Sequence, residues 1–309
     1  MIIYKSQKKK LMLEKCQSCK SSKLLLFIVL LLLSTFLLHR YSSFLKKEGM
    51  NNYETTKPQI NVLYDDRSGI EISELGKFGR CLIIEDEIQL CEKQEHIYHE
   101  MIVHFPVMYL KKKLEYVVII GGGDLMTLRE VMKYYTIEKV IMLELDPTIV
   151  NLCEKYFNQS KYEDDQRVEI IYGDANDTID DIIEDYSSKI DLVIIDTTEN
   201  NKNNTSVDTP QFFMKCFSLL NNSGLIVKNG LFFKGMLQNF EDKFTIPYNV
   251  TIPYFQEKYF FTIASNQENN IRTVNLQKNN WKNYEIQSKF YNPKKHNKYI
   301  VYEEYRDNN

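Results

Sequence analysis

The middle of this chain alternates short apolar runs with segments whose apolar residues recur at helical spacing. The apolar runs, rich in Val, Ile and Leu, are residues 117–121, 140–145, 168–172 and 191–196. The helical segments follow them, at residues 125–135, 147–157, 178–185 and 208–220. Strands that alternate with helices are typical of a parallel sheet with helices on both faces. The pattern therefore predicts an α/β fold built on a Rossmann-like, methyltransferase-type doubly wound sheet.

A different pattern precedes this one and predicts a small antiparallel β-domain. Its strand-like stretches are residues 61–64, 69–74, 81–85 and 88–91. Residues 95–110 then indicate a helix, whose inward positions are Ile97, Met101, His104 and Met108. We expect the small β-domain with its helix to cover residues 61–110, and the Rossmann-like catalytic domain to cover residues 111–309.

The N-terminal part has its own hydropathy pattern. Residues 24–38, LLLFIVLLLLSTFLL, are apolar throughout and have lysines before them and Arg40 after them. With snorkelling at both ends such a stretch is long enough for a transmembrane anchor. A cleaved signal peptide is the alternative, but the basic leader is long and no small-x-small cleavage site follows. The expectation is a single-pass membrane protein with a basic cytosolic tail (1–23), an anchor (24–38) and a linker (39–60), with its N-terminus in the cytosol.

Charge and cysteine content narrow the function classes. The 309 residues carry a formal net charge of −3, which gives no sign of a nucleic-acid partner. Cys16 and Cys19 form a lone C-x-x-C pair without two further zinc ligands nearby, so no metal site is predicted, and lipidation or an unmodified pair stays open. The other four cysteines lie in apolar contexts and are interpreted as small core residues; they are Cys81, Cys91, Cys153 and Cys216.

The segment VVIIGGGD, residues 117–124, is the strongest local signal for a ligand. Gly121 and Gly122 allow a sharp turn and a close approach of the backbone to a bound group. The next strand ends at Glu144, whose carboxylate can accept both hydroxyls of a ribose. Asp124, Asp174 and Asp196 also follow strands, where an α/β sheet binds its ligands. The pattern predicts a nucleoside site, and a tight turn without a ligand is the alternative.

Ordered motifs give the chain a specific resemblance. Phe78 to Ile84 (FGRCLII), Ile88-Gln89 and residues 92–107 (EKQEHIYHEMIVHFPV) precede the GGGD turn, and more blocks follow it. Those later blocks are LELDP (143–147), RVE (167–169), GDA (173–175) and DLVIID (191–196). Together they resemble the spermidine/spermine synthase family, the polyamine aminopropyltransferases, over about residues 61–265.

The resemblance implies an activity and a set of site residues. A polyamine nitrogen would attack decarboxylated S-adenosylmethionine, the co-substrate, and release methylthioadenosine, with no permanently bound cofactor. Asp196 would be the base, Glu144 would hold the ribose, and Asp174 and Ala175 would contact the adenine. The polyamine side of the site would include Tyr98, His99, Asp124 and the second carboxylate, Glu199. Gln89 would lie on a roof supplied by the small domain, and the protein would form a homodimer.

The sequence departs from the family pattern at four places. Leu125 and Met126 replace the two glycines of GGGDGG. The proline-containing loop after the base is replaced by NNKNNTS, residues 200–206. The family glutamine against methylthioadenosine falls near Ser68, and the family tyrosine in the polyamine site falls at Tyr254 or Phe255. These departures leave an alternative open, a membrane-anchored and non-catalytic relative that binds a nucleoside or polyamine. A methyltransferase is disfavoured because Asp124 would lie close to the carboxylate of methionine.

Overall fold

The computed structural model describes residues 60–65, 69–198, 207–230, 244–255, 257–271 and 286–301. An antiparallel four-stranded sheet comes first along the chain. Its strands pair in sequence order and are β1 (Ile60–Asp65), β2 (Ile70–Leu75), β3 (Arg80–Ile84) and β4 (Glu87–Cys91). A short 3-10 helix, Gly76–Phe78, joins β2 to β3. The predicted small antiparallel sheet is therefore confirmed.

The helix that follows this sheet is almost completely buried. α1 spans Glu95–Val107, and the four predicted inward residues are all buried. The helix ends three residues earlier than predicted because its last turn tightens. The amides of Met108, Tyr109 and Leu110 donate to carbonyls three residues back, at 2.9–3.3 Å.

Seven strands form the larger sheet, with helices between them. The strands are β5 (Tyr116–Gly121), β6 (Lys139–Glu144), β7 (Val168–Tyr172), β8 (Ile190–Asp196), β9 (Leu220–Asn229), β10 (Phe244–Ile252) and β11 (Glu257–Ser265). The helices are α2 (Met126–Val131), α3 (Pro147–Phe157), α4 (Ala175–Tyr186), α5 (Pro210–Leu219) and α6 (Glu268–Ile271). A second 3-10 helix, Pro293–Lys298, lies near the end of the described chain. All of these residues belong to one compact unit, Pro58–Asn309.

The order of the strands identifies the edge at which sheets of this kind bind ligands. The order is β10–β11–β9–β8–β5–β6–β7, and the five strands from β9 to β7 are parallel. The order reverses at β5, since β6 lies on one side of it and β8 on the other. Open α/β sheets bind ligands at such a switch point, beyond the carboxyl ends of the strands. The Rossmann-like fold is confirmed, and the sheet is mixed because β10 and β11 run antiparallel.

The GGGDLM departure shortens the next helix. Leu125 has φ of 66° and ψ of 3°, in the left-handed region, so α2 begins only at Met126 rather than at the predicted residue 125. Leu125 and Met126 are both buried, and they belong to two different core clusters. The two side chains that replace glycines thus pack into the interior.

Two of the predicted core cysteines are bonded to each other. Cys81 and Cys91 are directly opposite on β3 and β4, with Cα atoms 4.1 Å apart, and they form a disulfide. Both are fully buried, as predicted for core residues, but the prediction did not include the bond, which the hairpin register makes possible. Cys153 and Cys216 are buried and free, as predicted.

The predicted tail, anchor and linker fall at residues 1–60, of which only Ile60 is among the described residues. Within the described ranges, no helix is long and apolar enough to cross a bilayer. The longest of them, α1, has 13 residues and a length of ~20 Å, against ~30 Å of hydrocarbon. This finding contradicts the predicted single-pass membrane location with a cytosolic N-terminus, and we withdraw it.

Candidate active site

Glycines at the end of β5 allow the two central strands to meet. Gly121 and Gly122 have φ of 78° and 73°, and the amide of Gly122 donates to the carbonyl of Asp196 at 2.8 Å. A Cβ on Gly121 would lie 2.3 Å from that same carbonyl oxygen, which is closer than any side chain tolerates. The sequence Gly-Gly is therefore required for the carboxyl ends of β5 and β8 to pair at Gly121 and Asp196.

The carboxylate of Asp196 lies at this junction and accepts hydrogen bonds on both oxygens. Tyr98 of α1 donates to Oδ1 at 2.5 Å, and Thr127 of α2 donates to Oδ2 at 2.5 Å. Burial, followed by the negative charge of Asp124, holds the pKa of Asp196 above its ordinary value. The charge of His99 and the two hydrogen bonds act in the opposite direction. A carboxylate with a raised pKa is a better proton acceptor than a solvated one.

His99 lies between two carboxylates. Its Nε2 is 3.3 Å from Asp124 Oδ2, and its Nδ1 is 2.8 Å from Glu95 Oε2. Burial opposes a charge on the ring, but Asp124 and Glu95 together raise the pKa of His99 to about 10. The ring is therefore a cation at neutral pH that donates from both nitrogens.

His99, Asp124 and Asp196 form an acidic cluster that suits an organic ammonium better than a metal ion. His99, Asp124 and Asp196 each place one ligand-type atom within 4.8 Å of the others. A metal would need a lone pair on His99, and a ring whose pKa Asp124 and Glu95 raise to about 10 has none to offer at neutral pH. The two aspartates point negative charge at the same small volume, which favours a cationic substrate.

Glu144 ends β6 on the other side of the glycine turn. Its Oε1 accepts from the amide of Asp146 at 2.9 Å, and a Cβ on Gly123 would lie 2.8 Å from Oε2. A side chain at position 123 would therefore require this carboxylate to shift. Burial raises the pKa of Glu144 to about 7, and Asp124 and Asp146 contribute in the same direction. Burying this carboxylate in the ligand-free protein therefore costs stability.

We expect Glu144→Gln to be more stable than the parent protein at pH 8 and equally stable at pH 4.5. The folded-state pKa of about 7 lies above the ordinary 4.5, so the parent loses stability as pH rises through this window. The difference at pH 8 should reach up to about 3 kcal/mol, at 1.36 kcal/mol per pKa unit. Urea unfolding at both pH values measures it. Glu163→Gln, at an exposed position, is the control, and an equal shift in both variants would contradict the expectation.

Comparisons with known proteins agree with this geometry. Residues 95–277 match the spermine/spermidine synthase domain model. A polyamine aminopropyltransferase of Clostridium botulinum (strain Alaska E43 / Type E3) is 31% identical over 262 residues, covering 79% of this chain and 90% of that protein. A polyamine aminopropyltransferase of Methanocaldococcus jannaschii is 30% identical over 234 residues, which cover 71% of this chain and 78% of that protein. The chain belongs to the spermine/spermidine synthase family.

Solved structures of family members have the same fold. A spermidine synthase in complex with the transition-state analogue AdoDATO aligns with a TM-score of 0.69 at 26% identity, covering 78% of this chain and 85% of that one. The spermidine synthase of Thermotoga maritima aligns with a TM-score of 0.65 at 25% identity, covering 78% and 84%. The family and the enzyme class expected from the motifs are both confirmed.

Not every residue expected from the family pattern lies in the acidic cluster. Asp174 caps α4, its side chain accepting from the amide of Asn176 at 2.8 Å, and Ala175 is buried behind it. The amide of Gly173 donates to the carbonyl of Glu144 at 2.9 Å, which holds Asp174 beside the carboxyl end of β6. Gln89, on β4, donates to the carbonyl of Glu87 at 3.2 Å and, among the described residues, has no hydrogen bond to the cluster. Glu199, Ser68 and the loop 200–206 lie outside the described residues.

Four residues that the sequence patterns did not single out for the site contribute to it. They are Glu95, Thr127, Arg129 and Asn229. Thr127 lies in the first turn of the helix after the glycines, a position that faces the strand ends, and this was the one available signal. Asn229 ends β9 and donates to the carbonyl of Thr197 at 2.5 Å. Of the two expected aromatic positions, Tyr254 is buried near three carboxylates. Burial raises the pKa of its hydroxyl, and the charges of Glu95, Asp124 and Asp196 raise it further.

Proposed function

We propose that this protein transfers the aminopropyl group of decarboxylated S-adenosylmethionine to a diamine or polyamine, and that Asp196 is the base. The observation that carries the proposal is the pair of site carboxylates, Asp124 and Asp196, held beside the glycine turn of a spermidine synthase fold. Both substrates are cations, and the pair supplies the negative charge that they require.

The residues support a displacement at carbon. The lone pair of the amine attacks the carbon next to the sulfonium sulfur, and the carbon–sulfur bond breaks with its electrons going to sulfur. The products are methylthioadenosine, the longer polyamine and one proton. A polyamine nitrogen has an ordinary pKa near ~10 and is protonated at neutral pH, so a base must free its lone pair. Asp196 receives that proton, while Tyr98 and Thr127 fix the orientation of its carboxylate.

We assign the nucleoside half of the site to the ends of β5, β6 and β7. Gly121 and Gly122 let the backbone approach the bound group, and Glu144 accepts the ribose hydroxyls. Asp174 and Ala175, at the start of α4, contact the adenine. The parallel register supports this division, because Glu144 lies next to Tyr172 at the same edge of the sheet.

We assign the polyamine half to the face of α1. Tyr98, His99 and Asp124 line it, with Glu199 binding the distal ammonium and Gln89 on the roof from the small domain, residues 61–110. Aromatic rings close this side, since Tyr98 lies 5.3 Å from Tyr259 and 5.2 Å from Phe261 between ring centroids. Such walls suit the methylene chain and the charges of a polyamine. The homodimer implied by the family is part of the proposal, and light scattering of the full chain is its measurement.

A product assay tests the proposed function. The full chain is mixed with decarboxylated S-adenosylmethionine and a panel of diamines and polyamines, and the release of methylthioadenosine is measured. Release that depends on the acceptor supports transfer. Methylthioadenosine binding without turnover for every acceptor would instead support a non-catalytic binder.

We expect Glu144→Gln to bind methylthioadenosine roughly tenfold more weakly or worse, since charged hydrogen bonds of this kind contribute roughly 1.5–3 kcal/mol and 1.4 kcal/mol is a decade. Calorimetric titration at pH 8, where Glu144 is ionised, measures the change. The same variant should be the more stable protein at this pH, so a folding defect is distinguishable from a lost contact. Equal affinities for the two proteins would remove Glu144 from the nucleoside site.

A further inference from the structure

A row of six alternating charges extends from the acidic cluster through the interior of the protein. In order, the residues are Asp124, His99, Glu95, Arg129, Glu130 and Lys133. The five successive contacts are 3.3, 2.8, 2.8, 2.9 and 2.5 Å long. His99, Glu95 and Glu130 are at most 7% exposed, while Lys133 reaches the surface at 31%. Only the first two residues of the row belong to the proposed polyamine site.

Arg129 joins the two buried glutamates of the row. Its Nη1 and Nη2 donate to the two oxygens of Glu95 at 3.1 and 2.8 Å, a bidentate contact that fixes the carboxylate plane. Its Nε donates to Glu130 at 3.0 Å. Burial acts to raise the pKa of Glu95, but His99 and Arg129 lower it to about 2. Glu95 is therefore ionised whenever the protein is folded near neutral pH.

The ionised Glu95 determines how His99 faces the site. Nδ1 of His99 is 2.8 Å from both the side chain and the backbone carbonyl of Glu95, so this nitrogen must donate. Nε2 then points at Asp124 Oδ2, while the amide of Met126 donates to Asp124 Oδ1 at 2.7 Å. Asp124 is thus held from both oxygens and presents a fixed face to a ligand.

The charge of His99 also acts on the base. His99 is one of the groups that lower the pKa of Asp196, whereas Asp124 raises it. The charged and titratable groups around the His99 ring are Glu95 on α1, Asp124 in the turn after β5, Asp196 on β8, Arg129 on α2 and Tyr98 beside it. Without a cation at His99, the carboxylates of Asp124 and Asp196 would share a proton, as two close carboxylates do.

We infer that Glu95 and Arg129 are positioning residues for aminopropyl transfer, which keep His99 as a double donor so that Asp124 and Asp196 meet the incoming amine without protons. This inference rests on the function proposed above. Neither residue touches the substrate in this assignment. Their effect reaches the reaction through His99.

The test is a pH profile of Glu95→Gln, which keeps the shape of the side chain and removes its charge. At pH 6 we expect kcat/KM to fall about tenfold for each unit by which the pKa of Asp196 rises. At pH 9 we expect kcat/KM to approach the parent value. Arg129→Met removes the bidentate contact that orients Glu95 but not the charge of Glu95, so it should lower kcat/KM at pH 6 by less than Glu95→Gln does, and Arg129→Lys should restore part of that loss. Glu169→Gln removes a half-exposed carboxylate paired with Lys139 and should leave the profile unchanged. An equal loss at every pH in Glu95→Gln would overturn the inference.

A second measurement does not depend on turnover. Nitrogen-15 spectra of the histidine rings, with His99 assigned by its loss in His99→Gln, give the protonation of the ring directly. We expect the pKa of His99, about 10 in the parent, to fall below about 6 in Glu95→Gln, because burial then opposes the ring charge with Asp124 alone to favour it. If Glu95→Gln is unfolded, the double variant Glu95→Gln/Arg129→Met removes the ion pair as a unit and should give the same shift. An unchanged His99 pKa would overturn the inference, and an inactive parent protein with a shifted His99 would overturn only the proposed function.

Discussion

Asp196→Asn should lower kcat for methylthioadenosine release by about 10²–10⁴-fold, the usual contribution of a positioned general base. Asparagine has nearly the same shape but no negative charge and no affinity for a proton at neutral pH. Its amide also offers one oxygen, so Tyr98 and Thr127 cannot both donate to the side chain as they do to Asp196. Single-turnover release of methylthioadenosine, followed with saturating acceptor, measures the chemical step.

The same variant should bind methylthioadenosine with little change, because Asp196 faces the amine and not the nucleoside in the proposed site. Asp180→Asn is the matched control, since it removes an exposed carboxylate that pairs with Lys215 on the outer side of α4. It should leave kcat within about twofold. A fall of less than about tenfold in Asp196→Asn would assign the base to another residue.

Gly121→Ala should be the most destabilising single-atom change in the site. The added Cβ would lie 2.3 Å from the backbone oxygen of Asp196, and φ of 78° disfavours a side chain even without that contact. Neither group is flexible, because both belong to paired central strands. We expect a loss of at least about 3 kcal/mol in the free energy of unfolding, measured with urea, and loss of activity as the end of β8 moves.

Gly76→Ala separates the two causes. Gly76 also has a positive φ of 44°, but a Cβ there would meet no atom within 4 Å. This variant should cost only about 1–2 kcal/mol, the conformational term for a left-handed residue. Equal losses in the two variants would mean that the contact with Asp196 relaxes at no cost, and the account of the glycine turn would be wrong.

The sequence was sufficient to predict the central sheet and the edge at which its acids lie. The four predicted apolar runs form β5 to β8, and each predicted boundary agrees with the observed one within one residue. The reason is that buried parallel strands need continuous Val, Ile and Leu. The acids Asp124, Glu144, Asp174 and Asp196 all lie at carboxyl ends of strands, as predicted. These predictions succeeded because the spacing of apolar residues and the position of turn residues depend only on neighbours in the chain.

The family motifs added the chemistry that periodicity does not contain. Tyr98 contacts Asp196, and His99 contacts Asp124, although each pair is separated by many residues. The motif order supplied these residues without their distances. The roles assigned to the site residues stay predictions; these residues are Gln89, Tyr98, His99, Gly121, Gly122, Asp124, Glu144, Asp174, Ala175, Asp196 and Glu199.

Tertiary structure alone decided the contacts that set charge and shape in the site. Nothing in the sequence pattern pairs Cys81 with Cys91, because the register of a hairpin depends on where its turn begins. The pattern also gave no reason to place Leu125 in the left-handed region, since burial in the core outweighs the preference of that conformation for glycine.

The charge row behind His99 shows the same limit. Glu95 and Arg129 are on different helices, and an isolated glutamate or arginine on a helix is usually a solvated side chain. Here the packing of α1 against α2 brings them to 2.8 Å and buries the carboxylate of Glu95. The sequence determined which elements form and at which edge of the sheet the acids lie. Their packing decided which charges meet, because the energy of a buried ion pair depends on distance and solvent exclusion, and neither is a property of the chain order.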